Sequence, residues 1–126
     1  MSTSAQIQDP RWTAAVTVST AGVSEIVNQE GYRPACVDMS TAWTTAGMTF
    51  LGGNDTAAMF PLYNSTVELS LSSALVLPNI SIAFTQDFSK SLGAHRYVQV
   101  RSGTSTAQST QAAGRALSIT FVPLGY

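Results

Sequence analysis

Apolar and small polar residues alternate along nearly the whole chain, and no segment sustains the i, i+3, i+4, i+7 spacing of an amphipathic helix. A period of two places every second side chain on one face of an extended strand. The clearest runs are residues 15–19, 35–39 and 47–51, with Val16 and Val18, Val37 and Met39, and Met48 and Phe50 as their inward positions. The pattern returns at residues 66–71, 79–84, 96–100 and 116–121. Between these runs lie turn formers: Glu-Gly-Tyr-Arg-Pro at 30–34, Gly-Gly-Asn-Asp at 52–55, Leu-Pro-Asn at 77–79, and a long polar stretch at 102–111. Seven to nine short strands at near-regular spacing predict an all-β fold, an antiparallel β-sandwich or jelly roll occupying residues 13–126. Residues 1–12 begin with a Ser/Gln/Ala-rich stretch that has no periodicity, and they are expected to form a flexible N-terminal arm.

The outward positions of these strands are mostly hydroxyl residues: Thr17, Ser19, Thr49, Ser70, Ser81, Ser118 and Thr120. Threonine suits them because its branched β-carbon packs on the pleat while its hydroxyl keeps the face wet. Composition agrees: 44% of the 126 residues are hydrophobic, only 10% are charged, and the chain holds 16 Ser and 15 Thr. A soluble domain usually carries about 25% charged residues, so hydroxyls stand here in place of charge. Edges built this way lack the charges that normally prevent strand pairing between copies, and assembly would remove that risk.

Charge and residue counts exclude several kinds of chemistry. Six Lys/Arg against seven Asp/Glu give a net charge of −1 and no basic stripe, so nucleic acid is not expected as a direct partner. No apolar run reaches membrane-spanning length, and residues 1–10 lack the basic start and apolar core of a signal peptide, so synthesis in a cytoplasm is expected. With one cysteine, Cys36, and one histidine, His95, neither an internal disulfide nor a His-rich metal site can form. A Cys36–His95 dyad is conceivable, but nothing near Cys36 in sequence is basic enough to activate it, and a plain outward thiol is the better reading. Asp9, Asp38, Asp55 and Asp87 are spread singly, as turn and cap residues are, rather than in a calcium loop. Asn-x-Ser/Thr triplets begin at Asn54, Asn64 and Asn79, as chance allows in a chain this rich in Ser and Thr. No catalytic residue and no cofactor is expected. Trp12, Tyr32, Trp43 and Tyr63 flank loops, where they either plug the ends of the sandwich or offer a sugar-binding platform. Arg101 and Arg115 bracket the polar stretch, a placement suited to guanidinium forks that fix loop carbonyls or a neighbouring subunit's carboxylate.

Four segments in order carry a resemblance. Residues 39–50 (Met-Ser-Thr-Ala-Trp-Thr-Thr-Ala-Gly-Met-Thr-Phe), 60–64 (Phe-Pro-Leu-Tyr-Asn), 94–104 (Ala-His-Arg-Tyr-Val-Gln-Val-Arg-Ser-Gly-Thr) and 111–119 (Gln-Ala-Ala-Gly-Arg-Ala-Leu-Ser-Ile) resemble a family of small virion proteins of tailed bacteriophages, prophages and gene transfer agents. The Arg-Tyr-Val-x-Val run at 96–100 is also similar to galactose-binding-like jelly rolls. The resemblance implies a non-enzymatic protein of the capsid surface, a decoration or cement protein or the base of a head spike or fibre. Its implied partners are the major capsid protein, copies of itself as a trimer or pentamer, and a head fibre or spike protein. Ile7, Asp9, Arg11 and Trp12 are then candidate capsid contacts, and Trp43, Tyr63, Arg101, Thr104, Gln111 and Arg115 candidate ligand or subunit contacts. The alternative is a module on the virion surface that binds a carbohydrate or receptor for host attachment.

Overall fold

The computed structural model describes residues 10–125, so Ile7 and Asp9 lie outside the described residues. Each of the seven alternating runs supplies strand residues, although Thr66 and Asn79 lie in turns. They contribute to β1 (Trp12–Val18), β3 (Tyr32–Asp38), β4 (Met48–Gly53), β7 (Val67–Glu68), β8 (Ser70–Leu71), β9 (Ser81–Ala83), β10 (Tyr97–Ser102) and β11 (Arg115–Pro123). Three further two-residue strands, β2 (Val27–Asn28), β5 (Phe60–Pro61) and β6 (Tyr63–Asn64), bring the total among the described residues to eleven. Periodicity cannot register a pair of residues, which is why these escape a reading of seven to nine. Trp12 opens β1, so the strand starts at the last residue of the expected arm, one residue before the expected start of the sandwich.

One sheet has the order β1-β11-β3-β9; the other has β2-β10-β4-β5, with β8 also pairing β4. β5 and β8 lie antiparallel to different stretches of β4, at Leu51/Gly52 and Met48/Thr49. They act as one edge strand interrupted by the β6–β7 hairpin. Counted so, eight strands form two four-stranded layers in which the first strand pairs with the last and the third with the last. That is a jelly roll, two Greek keys folded face to face.

The inward positions are those the alternation marks. Val16, Val18, Val37, Met39, Met48 and Phe50 are all buried, joined by Val98, Val100, Leu117, Ile119 and Phe121 from the other strands. Phe50 sits edge-on to Phe84 and Phe88, and Trp12 stacks on Phe121 with centroids 4.3 Å apart. Outward Thr17, Ser19, Ser70 and Ser81 are exposed, and Cys36 faces outward from the middle of its sheet, between Thr120 and Ala83. Thr49 departs from the pattern: it is fully buried although its parity is outward.

A helix also departs from the all-strand expectation. α1 (Gln86–Leu92) spans seven residues, less than two full periods, too short to show an amphipathic stripe. Thr85 caps it by accepting from the Phe88 N–H, Asp87 lies in its first turn and Lys90 in its last, and Leu92 enters the core. Buried Arg33 holds the helix to β3 by donating to Ser89 Oγ at 2.6 Å, while Ser89 donates to the Pro34 carbonyl. Buried Gln29 donates to the carbonyls of Leu92 and His95, at 2.7 and 3.0 Å, and fastens the helix C-terminus to the β2–β3 turn. Replacing the cap, Thr85→Ala, is expected to cost about 1 kcal/mol in urea unfolding and leave the fold intact.

Candidate interaction surface

The polar stretch at 102–111 is an ordered loop. Ser109 donates its N–H to the Ser102 carbonyl at 2.9 Å, Ser102 Oγ donates back to the Ser109 carbonyl, and Gly103 bridges Gln108. Gly103 has φ +88°, and a β-carbon there would run into the Ala107 carbonyl, so the turn requires glycine.

Two clusters hold this loop from its ends. At one end, strand parity puts Arg101 beside Thr49 across the β10–β4 pair. Arg101 Nε donates to Thr49 Oγ1 at 3.0 Å, and Thr49 Oγ1 donates onward to the Gly103 carbonyl at 2.8 Å. Arg101 Nη2 meets Glu68 Oε2 at 2.7 Å, with side-chain exposures of only 6% and 13%. The same carboxylate accepts from the Ser105 N–H. A buried charge is tolerable only when paired and hydrogen-bonded, and both members of this pair are. Thr49 is therefore buried because the loop and Glu68 close over the outer face of its sheet. At the other end, Arg115 donates to Gln111 Oε1 at 3.3 Å and to Thr44 Oγ1 at 3.1 Å. Gln111, itself buried, exchanges hydrogen bonds with the Thr44 backbone, accepting at 2.8 Å and donating at 3.1 Å. Neither guanidinium donates to a loop carbonyl: Arg101 reaches the loop through Thr49 and through Glu68 of its own chain, and Arg115 reaches it through the side chain of Gln111. Thr104 forms the turn with Ala107 and is half-buried.

Large apolar side chains are exposed along the segment next to Arg101. Phe60 is 62%, Tyr63 50% and Val67 67% exposed, and Tyr63 Oη lies 3.2 Å from Ser105 Oγ. The β6–β7 hairpin and α1 flank an open groove of about 520 Å³, lined by Asn64 to Ser70 and by Phe88. Glu68 reaches from the groove to Arg101, so the groove wall and the 102–111 loop are mechanically joined.

Other sequence candidates are placed elsewhere. Trp43 is buried at 8% exposure, its Nε1 donating to the Ala46 carbonyl at 3.1 Å, which removes it from the set of ligand contacts. Trp12 is half-buried on Phe121 and Tyr32, so only part of it could meet a partner, while Arg11 is exposed. Asp55 forms the expected turn, accepting from the Ala57 N–H at 2.9 Å, and Asp38 is exposed on its strand. Among the described residues no group of three His, Cys, Asp or Glu could hold a metal, and no helix is long and apolar enough to cross a membrane. Gln29 and Glu68 were not singled out by sequence. Each sits in an ordinary polar context, and only the tertiary fold makes it a fastener.

An all-β sandwich of jelly-roll topology, with a clasped loop and an apolar hairpin, is the class these features define. No family model matches the chain, and no curated protein matches it. Among solved structures, the crystal structure of the SPBc2 prophage-derived protein YomS is similar, with a TM-score of 0.51 over 91% of this chain and 96% of that one. Identity is 12%, so what the two share is the fold.

Proposed function

We propose that this protein is a non-enzymatic structural component of a bacteriophage virion, set on the capsid surface as a decoration or cement protein that bridges capsomers. The observation that carries the reading is the apolar hairpin segment, in which Phe60, Tyr63 and Val67 are exposed on short strands fastened to the domain by a buried ion pair. Exposed large apolar groups mark contact with another protein, here from both faces of the hairpin, since Tyr63 pairs with Glu68 and Val67 with Asn64, and rigid fastening lowers the entropy lost on docking. Likeness of fold to a prophage-derived protein supports a phage setting, and jelly rolls recur in viral capsids, an analogy of fold alone. Scarce charge suits a surface that faces other protein, where unpaired charges would be costly to bury.

The test uses particles assembled without the protein. Added wild-type chain is expected to bind them and raise the temperature at which they open. A Phe60→Ser/Val67→Ser variant, folded as judged by circular dichroism, should bind at least about tenfold more weakly, because it loses two apolar anchors. Particles that neither bind the wild type nor gain robustness from it would refute the reading.

A carbohydrate- or receptor-binding role on the virion surface has one specific observation in its favour. The groove between hairpin and helix offers Asn64, Ser65, Thr66 and Ser70 as polar partners beside the Phe88 ring. Cell-wall or glycan binding abolished by Asn64→Ala and Thr66→Ala, with particle binding retained, would select it.

A further inference from the structure

The edges of the two sheets are unequal. β2, β5 and β8 have two residues each and β9 has three, whereas β1 has seven and pairs only with β11 among the described strands. Its pairing with β11 runs from Trp12 to Val18 without a bulge, and it contains no charge and no proline. Those are the devices that natural edge strands use to refuse a neighbour, and β1 has none of them.

Backbone direction shows which groups are on offer. The Thr17 N–H is turned away from β11, since it donates to Glu25 Oε1 at 2.7 Å, and the Ser19 N–H bonds the Val23 carbonyl on the same side. Alternation then places the N–H and C=O of Thr13 and Ala15 on that open side, and both residues are exposed. Glu25 closes the C-terminal end of the edge, and Arg11, also exposed, stands at its N-terminal end.

We infer that β1 is a self-pairing edge: two copies of this chain join their β1 strands antiparallel about a two-fold axis, making one continuous eight-stranded sheet. The register sets Thr13 against Ala15 of the second copy and centres on Ala14. It exchanges four N–H···O bonds and puts a small side chain where the strands approach closest. Arg11 then lies opposite Thr17 of the second copy, beside the Glu25 carboxylate that caps it, and the contact occurs twice by symmetry. Within one chain Arg11 and Thr17 are about 20 Å apart along the strand, so this charge match arises only between copies. A foreign strand would lack it. The pairing also closes on itself, since it consumes the one long edge that the described strands of each copy present. It goes beyond the virion reading and does not rest on it.

Sedimentation equilibrium of the full chain tests this. The wild type is expected to dimerise reversibly at concentrations of order 100 µM, and a strict monomer there overturns the inference. Ala15→Pro removes an N–H that the monomer does not use, and Ala15→Lys leaves the backbone whole and places a charge on the edge. Each should weaken the dimer at least about tenfold while circular dichroism stays native. Folded variants that dimerise as the wild type does would overturn it. Arg11→Glu should weaken the dimer, and adding Glu25→Arg to the same chain should restore it. A failure to restore overturns the antiparallel register.

Discussion

Arg101→Ala is expected to destabilise the protein by about 3–5 kcal/mol, because it leaves the Glu68 carboxylate buried without its counter-charge. The structure makes the loss larger than a surface pair's. Glu68 is only 13% exposed, and the guanidinium also donates to fully buried Thr49. Without it, Thr49 and Glu68 lose the group that sets their positions, and with them go the anchors of Gly103 and Ser105. Two measurements check this. The urea midpoint should fall, and the Ser105 amide, which donates to Glu68, should exchange faster with solvent by a larger factor than amides in the β1–β11 pair. Glu68→Ala should cost a similar amount, and the double variant less than the sum, since the two residues share one interaction. Replacing both by apolar residues, Arg101→Met with Glu68→Leu, should be much milder than either single loss. Arg115→Ala serves as the contrast: Arg115 donates to the neutral groups of Gln111 and Thr44, so about 1–2 kcal/mol is expected. Unchanged stability in Arg101→Ala would mean that the loop is held by its own turn bonds alone.

That cluster also shows how far the sequence could be read. Alternation locates the core strands because inward and outward environments differ all along them: Val16, Val18, Val37, Met48 and Phe50 are where period two places them. It also reads Thr49 as water-facing, because it cannot foresee that a loop 54 residues further along the chain will cover that face. Burial there is a tertiary event, and Thr49 reads as solvated until Gly103 is seen above it. That two arginines bracket the polar stretch is local information, but their partners, Thr49 and Glu68 for one and Gln111 and Thr44 for the other, are set by the tertiary fold. Glu68 was not legible as a partner, being 33 residues from Arg101. The helix α1 was missed for a different reason: seven residues supply a cap and a charge bias but no period. The exposed trio of Phe60, Tyr63 and Val67 was partly legible, in that Tyr63 stood among the loop aromatics, but Val67 falls in an alternating run that looks like any core strand.

Trp43 carries the other large effect, and it bears on how any binding experiment is interpreted. Its position in a segment between strands leaves an end plug and an exposed platform both open, and the structure puts the ring in the core, with its Nε1–H satisfying the Ala46 carbonyl. Trp43→Ala is therefore expected to cost about 3–5 kcal/mol, the loss of a large buried ring and the cavity it leaves. For a domain of this size that lowers the melting temperature by roughly 10–20 °C. Trp43→Phe keeps most of the apolar contact but strands the Ala46 carbonyl, so about 1–3 kcal/mol is expected. Tyr63→Ala removes a half-exposed ring whose hydroxyl contact with Ser105 is at the surface, and its effect on melting should stay below about 1 kcal/mol. The three variants separate fold from surface. If Trp43→Ala melts within a few degrees of the wild type, the ring is not part of the core. If it melts as expected, any loss of particle or glycan binding in that variant reports unfolding, and only Tyr63, Phe60 and Val67 report on the contact surface itself.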